Sequence, residues 1–287
     1  MINHIYTKIS RKLNKLEKDI YNTIDNIFRS STKNKRALPD FIIVGAQKAG
    51  TTSLYYYLLQ HPQILGAQKK EIHFFDYNYS KELEWYKKNF PLKKRLIKKN
   101  AITGEASPQY MFHPHTLNRI AKNLPNAKII ILLRNPIDRA YSYYHHQVKR
   151  GREKKHFLEA IKNEETRIAE GYKNMIENPD YNDYNYLMFS YLKRGKYYEQ
   201  VKRCMELFPE ENILILQSEK MYESPAEVYK ETIDFLNLEH YELPEYKVYF
   251  SNKYDNLASE TRNYLYHYFK PLNEKLFKLI GKRFDWK

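Results

Sequence analysis

Short apolar runs alternate along the chain with longer segments in which apolar residues recur every three or four positions. The runs predict buried strands at 41–44, 101–105, 127–133 and 212–217, with a further short strand at 63–66. The longer segments predict a helix directly after the first strand, a mostly helical stretch over 156–210, and helices at 114–123, 136–150, 224–236 and 259–279. Because strands alternate with helices, the pattern predicts an α/β fold in which a parallel sheet is flanked by helices on both faces.

Residues 2–29 show a separate pattern, that of one long amphipathic helix. Apolar residues recur on one face and cations crowd the other; the former are Ile2, Ile5, Ile9, Leu13, Leu16, Ile20, Ile24 and Ile27, and the latter Lys8, Arg11, Lys12, Lys15 and Lys18. Such a helix suits peripheral contact with a membrane surface, self-association, or packing on the rest of the chain. We expect two regions, a basic amphipathic helix with its linker over 1–36 and a single globular domain over 37–287.

The composition limits the partners and the compartment. A formal net charge of +15 favours anionic partners, namely nucleotides, nucleic acid, acidic glycans or an anionic membrane surface, without choosing among them. The single cysteine, Cys204, excludes an internal disulfide and a multi-cysteine zinc site. No apolar run approaches the roughly 20 residues of a membrane span, and the N-terminal pattern is not that of a signal peptide. We expect a cytoplasmic protein that the N-terminal helix would allow to associate with a membrane.

The segment that follows the first strand has the features of an anion-binding loop. Gly45 and Gly50 bracket a tight turn, and the next residues open a helix whose first N–H groups would point towards a bound anion. The two glycines keep the spacing of a Walker A loop, so the sheet is P-loop-like, but Thr51 stands where the Walker lysine belongs. The lysine, Lys48, instead lies inside the loop. That position suits a nucleotide with a short 5′ end, such as a phosphosulfate.

Two other segments carry candidate chemistry. Arg134 follows the 127–133 strand and Ser142 lies eight residues later in the next helix, where a guanidinium and a hydroxyl can bind a phosphate. The same strand ends without the aspartate that holds Mg²⁺ in nucleoside triphosphatases, which argues against hydrolysis of a magnesium nucleotide. In the segment 70–76, Glu71 and His73 are the candidates for a general base.

Together these motifs resemble those of the sulfotransferases that use 3′-phosphoadenosine 5′-phosphosulfate (PAPS). The sequence G-x-Q-K-x-G-T-T-S-L at 45–54 is similar to their 5′-phosphosulfate-binding loop, and L-R-x-P at 133–136, with the following serine, is similar to their 3′-phosphate site. K-E-I-H-F-F-D at 70–76 and G-E-A-S-P-Q-Y at 104–110 resemble the heparan sulfate sulfotransferases and their bacterial relatives. The resemblance spans about 39–286 and leaves out the N-terminal helix.

The resemblance implies transfer of a sulfuryl group from PAPS to a hydroxyl or amine, most readily of a carbohydrate, and release of 3′-phosphoadenosine 5′-phosphate without a metal. It implies catalytic roles for Lys48 and for Glu71 as general base, with His73 as the alternative base. It also implies a set of nucleotide-binding residues, namely Gln47, Lys48, Ala49, Gly50, Thr51, Thr52, Ser53, Arg134, Ser142 and Lys253. Ala106 stands where the heparan sulfate enzymes carry an active-site lysine, so a heparan-type acceptor does not follow from the resemblance.

Two alternatives from other functional classes remain at this point. A P-loop kinase acting on a small molecule would use the same strand, loop and helix. A non-enzymatic basic protein that binds a membrane surface or nucleic acid would account for the charge and for the 2–29 helix. The sequence has no aromatic–basic RNA-binding signature and no helix-turn-helix pattern, so we expect no nucleic acid partner.

Overall fold

The computed structural model describes residues 17, 19–247, 249 and 255–287. In this part of the chain, four parallel strands form one sheet in the order β2-β1-β3-β4; they are β1 (Phe41–Gly45), β2 (Gly104–Ala106), β3 (Lys128–Leu133) and β4 (Ile213–Gln217). All of β1 is buried, as is β3 from Ile129 onwards, which is what their unbroken apolar runs predict.

Helices surround this sheet. Residues 19–31 are helical (α1), and the helices after them are α2 (Thr51–Leu58), α3 (Glu82–Lys87), α4 (Lys93–Lys99), α5 (Thr116–Asn123), α6 (Pro136–Lys149), α7 (Phe157–Lys162), α8 (Glu164–Glu177), α9 (Tyr184–Phe189), α10 (Tyr197–Leu207), α11 (Ser218–Glu223), α12 (Pro225–Phe235) and α13 (Ser259–Ile280). The predicted α/β class, with a parallel sheet flanked by helices, is confirmed.

The position of β1 determines where a ligand can bind. β1 pairs with β2 on one side and with β3 on the other, so the chain leaves β1 towards one edge of the sheet and later continues on the opposite side. In open α/β sheets this reversal creates a crevice beyond the carboxyl ends of the strands. The loop after Gly45 and the segment after Leu133 both lie at such ends.

Two strand predictions differ from the structure. The predicted strand at 63–66 is wrong, because only Ile64 forms an isolated parallel bridge, to Ile102. The strand expected at 101–105 begins later, at Gly104, and extends to Ala106. Only Ile64 of the segment 63–66 is buried, and its backbone pairing is limited to two hydrogen bonds with Ile102, from the N–H of Leu65 (2.9 Å) and to the carbonyl of Gln63 (2.8 Å), so the pairing does not extend into a strand.

The described part of the N-terminal helix contacts the domain with side chains that lie beside its isoleucine stripe. The carboxylate of Asp25 accepts a hydrogen bond from Gln68 (2.9 Å), and Arg29 donates one to the carbonyl of Lys88 (3.3 Å). Ile20, Ile24 and Ile27 remain exposed. The rest of the predicted 2–29 helix, residues 2–16 and 18, lies outside the described residues. Among the described helices, none is long and apolar enough to cross a membrane.

Candidate functional site

The loop between β1 and α2 leaves several backbone N–H groups available to a ligand. Gly50 adopts a φ of +89°, which turns the chain into the helix start at Thr51. The N–H of Ala49 donates to the carbonyl of Ala46 (3.1 Å) and is therefore occupied. Within the described residues, the N–H groups of Thr51, Thr52 and Ser53 have no hydrogen-bond acceptor, as expected for a helix start. These three groups and the helix dipole favour an anion at this point.

One cavity of about 540 Å³ brings most of the predicted site residues together. Its lining includes eight of them: Gln47, Lys48, Gly50, Thr51, Thr52, Glu71, Arg134 and Ser142. Ala49 and Ser53 are buried and do not line it, and the hydroxyl of Ser53 accepts a hydrogen bond from the N–H of Tyr249 (3.2 Å). His73 contacts Glu71 without lining the cavity itself, and Lys253 lies outside the described residues.

Six residues in the lining were missed by the sequence analysis: Pro108, His146, Lys149, Arg150, Tyr222 and Tyr249. Three of them follow Ser142 at helical spacing, four, seven and eight positions later, so the face of α6 that carries this serine could have revealed them. His146 is held neutral near physiological pH, because burial and the nearby cations, first Lys48, lower its pKa to about 4. No comparable signal marks the two tyrosines.

Arg134 is fixed in the cavity wall by contacts at both ends of the residue. Its guanidinium donates to the carbonyl of Lys48 (3.1 Å), and its own carbonyl accepts from the hydroxyl of Tyr197 (3.0 Å). The next residue, Asn135, caps α6 by accepting a hydrogen bond from the N–H of Ile137 (3.0 Å). The strand end and the helix start therefore hold the arginine between them, directed at the loop.

The last two residues of the described chain form hydrogen bonds that hold the Arg134–Asn135 segment in place. Glu219 accepts hydrogen bonds from the N–H of Asn135 (2.8 Å) and from the indole of Trp286 (3.2 Å). The side-chain amide of Asn135 also donates to the carbonyl of Lys287 (2.9 Å). Residues 286 and 287 are thus bonded to the segment that carries Arg134.

Glu71 and His73 form a charged pair at the cavity. The carboxylate of Glu71 accepts from the ammonium of Lys70 (2.6 Å) and lies 3.6 Å from the imidazole of His73, whose other nitrogen contacts Asp76 (2.8 Å). Burial favours the neutral acid of Glu71, yet the interactions with His73 and Lys70 outweigh it and lower its pKa to about 2. Burial disfavours the imidazolium of His73, but the hydrogen bond to Asp76 and the negative charges of Asp76 and Glu71 outweigh it and raise its pKa to about 10. Near neutral pH, Glu71 is therefore ionised and His73 carries a proton on each ring nitrogen.

A buried carboxylate supports the segment that carries this pair. Glu105, with no exposed surface, accepts hydrogen bonds from the hydroxyls of Tyr86 and Ser107 (both 2.7 Å) and of Tyr110 (3.2 Å). The hydroxyl of Ser107 accepts from the N–H of His73 (3.4 Å), so the network reaches the charged pair. Burial raises the pKa of Glu105, and the three hydroxyl donors satisfy its oxygens.

All three catalytic candidates occupy an unusual backbone conformation. Glu71 has a φ of +59° and His73 a φ of +54°, and Lys48 in the anion-binding loop has a φ of +73°. Non-glycine residues adopt this left-handed region at a cost, and such residues cluster at functional sites. Within the described residues, no group of three or more histidine, cysteine, aspartate or glutamate side chains could hold a metal ion.

Comparisons with known proteins agree with this architecture. The model of the sulfotransferase domain family matches residues 38–287. The membrane-associated sulfotransferase kil1 of Dictyostelium discoideum is 30% identical over 87% of this chain and 66% of its own length. The human bifunctional heparan sulfate N-deacetylase/N-sulfotransferase 3 is 30% identical over 88% of this chain and 31% of its own length. The chain thus spans less than two thirds of each of these curated relatives.

A solved structure provides a comparison over nearly its whole length. The sulfotransferase from Alicyclobacillus acidocaldarius superimposes with a TM-score of 0.67 and is 31% identical, covering 86% of this chain and 98% of its own. The resemblance inferred from the loop, from the Arg134 segment and from the residues around Glu71 is therefore confirmed at the level of the family. The chain belongs to the sulfotransferase domain family.

Proposed function

We propose that the protein transfers a sulfuryl group from PAPS to a hydroxyl or amine of a carbohydrate acceptor, and that 37–287 is its catalytic domain while 1–36 lies outside it. The observation that carries the proposal is that Lys48, Arg134 and Ser142 line the same cavity as the carboxylate of Glu71. Anion-binding groups and a candidate base thus face one space. Its volume of about 540 Å³ suits a nucleotide-sized ligand, since such pockets measure roughly 300–1,000 Å³.

The lining suits a nucleotide with phosphates at two positions. Thr51, Thr52 and the free N–H groups of the helix start would bind the 5′-phosphosulfate, and Arg134 with Ser142 would bind the 3′-phosphate. Ser53 would contribute its N–H only, because its hydroxyl is already bonded to the backbone of residue 249. The side-chain oxygen of Gln47 is buried without a hydrogen-bond partner in the described chain, so it can accept a bond from a ligand.

Charge around the cavity explains how the leaving group would be stabilised. In the transfer, the acceptor oxygen or nitrogen bonds to sulfur, the bond from sulfur to the 5′-phosphate oxygen breaks, and 3′-phosphoadenosine 5′-phosphate departs. Negative charge grows on that phosphate, and Lys48 with the helix start would stabilise it. Lys149 and Arg150 add further positive charge to the wall.

The protonation states favour Glu71 over His73 as the base. A general base must accept the proton that the attacking hydroxyl or amine loses. Glu71 is ionised and lines the cavity, whereas His73 already carries the proton that it would need to accept. His73 would instead hold Glu71 in place, oriented by its own bond to Asp76.

The names of the relatives support a carbohydrate as the class of acceptor. Those named above include an enzyme of heparan sulfate modification, and a mouse relative 27% identical over 87% of this chain is named heparan sulfate glucosamine 3-O-sulfotransferase 5. We propose a glycan acceptor on this basis. Ala106, which replaces the lysine of the heparan sulfate enzymes, is fully buried in β2 and offers no charge to an anionic glycan.

The kinase alternative finds no support at the end of β3. That strand ends in Leu133, and the first acidic residue after it, Asp138, pairs with Arg262. Within the described residues, no carboxylate other than Glu71 lines the cavity to hold a magnesium nucleotide.

The proposal is tested by transfer of radiolabelled sulfate from PAPS to a panel of glycans, with and without a chelator. Labelling of at least one glycan is expected, together with a rise in melting temperature when 3′-phosphoadenosine 5′-phosphate binds. Stronger stabilisation by magnesium ATP than by the bisphosphate, without labelling of any glycan, would refute the proposal in favour of a kinase.

A further inference from the structure

A second cavity, of about 600 Å³, lies between the N-terminal helix and the domain, away from the proposed catalytic site. Its lining includes the apolar residues Phe28, Leu59, Ile64, Leu65 and Leu92. Arg29 of α1 and Arg95 of α4 also line it. The two helices therefore border the same depression.

Four isoleucines are exposed on these two helices. The exposed fractions are 51% for Ile20, 62% for Ile24 and 65% for Ile27 on α1, and 80% for Ile97 on α4. We call these four residues the isoleucine surface. Large apolar side chains scattered singly need no partner, but here three lie on one face of α1, and the most exposed isoleucine of the described chain lies on α4, the other helix that borders the cavity.

Cations surround the exposed isoleucine of α4. This helix reads Lys-Lys-Arg-Leu-Ile-Lys-Lys over Lys93–Lys99, with five exposed cations and no acidic residue. Its leucine, Leu96, is buried and anchors the helix, so Ile97 points away from the core while the basic side chains flank it. Exposed apolar residues within a cluster of cations are the features by which proteins bind anionic lipid surfaces.

The charge of α4 together with the exposed isoleucines distinguishes among three possible partners of this surface. A second copy of the chain, paired through the same surface, would bring the five cations of each α4 against those of its partner, which repel. Nucleic acid would form ion pairs with the cations, but the isoleucines would stay exposed to water. An anionic bilayer satisfies both, because its headgroups attract the lysines and its acyl boundary accepts the isoleucines.

We propose that the isoleucine surface and the basic face of α4 dock the protein on an anionic lipid bilayer. The four isoleucines insert into the headgroup region, and the cations of Lys93–Lys99 contact the lipid phosphates. This peripheral contact is independent of the proposed sulfuryl transfer, since none of these residues lines the catalytic cavity.

The test is co-sedimentation of the full chain with vesicles of phosphatidylcholine alone and of phosphatidylcholine with phosphatidylglycerol in about equal parts. Binding is expected only to the anionic vesicles. Each lysine near such a surface contributes about fivefold to binding, so Lys98→Glu/Lys99→Glu should weaken it at least about 25-fold. Lys162→Glu/Lys230→Glu, at exposed positions on α7 and α12, makes the same change in net charge elsewhere and should bind nearly as the unmodified chain does.

The apolar contribution has its own matched pair. Ile24→Asp/Ile97→Asp should abolish binding, whereas Leu158→Asp/Ile176→Asp, which makes the same change in net charge at exposed apolar positions on α7 and α8, should not. The proposal would be overturned if Ile24→Asp/Ile97→Asp bound anionic vesicles as well as its control variant does. It would also be overturned if the unmodified chain bound both kinds of vesicle equally. A third result would also overturn it: the unmodified chain does not bind vesicles but forms a dimer in sedimentation velocity, and Ile24→Asp/Ile97→Asp dissociates that dimer. Transfer to a soluble acceptor should be unchanged in every variant, so failure of the membrane proposal leaves the proposed activity intact.

Discussion

Replacing Lys48 by methionine separates a catalytic role of its charge from a structural one. Methionine keeps an unbranched stem and removes the ammonium group. In the described chain, Lys48 forms no salt bridge, and burial first, then the nearby Arg134, lowers the pKa of its ammonium group. A lysine whose pKa is depressed in the folded state destabilises that state at every pH where it remains charged, including pH 7, and the penalty disappears only at high pH. The variant should therefore be at least as stable as the wild-type protein at pH 7.

The loss of catalysis should be large in the same variant. Removing one group that stabilises developing negative charge typically lowers turnover by about 10²–10³-fold, equivalent to about 2.7–4 kcal/mol. The assay compares initial rates of labelled-sulfate transfer and the free energy of unfolding in denaturant at pH 7. Lys162→Met, which removes an exposed cation from α7, serves as the control. If Lys48→Met transfers sulfate as fast as the control, Lys48 does not stabilise the leaving phosphate. The same conclusion holds if the loss of activity is matched by a loss in the free energy of unfolding.

Three further predictions concern the rest of the site. Arg134→Ala should shrink the gain in melting temperature that 3′-phosphoadenosine 5′-phosphate gives the wild-type protein; equal gains would remove this arginine from the nucleotide site. The pKa of His73 is raised from 6.5 to about 10, so the wild-type protein should exceed His73→Gln in free energy of unfolding by its full amount below pH 6.5, and this difference should decline as the pH approaches 10. Denaturant unfolding measures the difference across that range, and a difference independent of pH would show that the ion pair is absent. Glu71→Gly should unfold with a free energy about 1–2 kcal/mol higher than Glu71→Ala, because only glycine adopts its φ of +59° without strain, and identical values would contradict that strain. Both variants at position 71 should lose sulfate transfer, and retained activity would exclude Glu71 as the base.

The central strands could be predicted because burial on both faces leaves a plain signal in the sequence. β1 and β3 lie inside the sheet, and their apolar runs give their positions to within one residue. The segment at 63–66 gives a similar signal, yet it forms a single bridge. An apolar pattern reports that side chains are buried, and it does not report how far hydrogen bonding to a neighbour continues.

Parts of the candidate site are local in sequence and others are not. Lys48, Arg134 and Ser142 belong to contiguous motifs, and extension of the helical spacing from Ser142 would have led to His146 and the basic residues after it. Tyr222 and Tyr249 reach the cavity from distant segments, so tertiary packing alone places them there.

The protonation of His73 could not be read from the sequence either. It depends on how close the carboxylates of Asp76 and Glu71 come to the two ring nitrogens. The sequence therefore left two candidate bases, and the distances favour one of them.

The bonds from Trp286 and Lys287 to the Arg134 segment matter for anyone who prepares this protein. A purification tag or fluorescent reporter fused after Lys287 would begin at a carbonyl that accepts a hydrogen bond from Asn135, one residue from the arginine that we propose binds the 3′-phosphate. Steric strain at that junction would be transmitted to the proposed nucleotide site, where it would lower the measured affinity for the ligand. Ligand titrations are best made on material from which any such fusion has been cleaved.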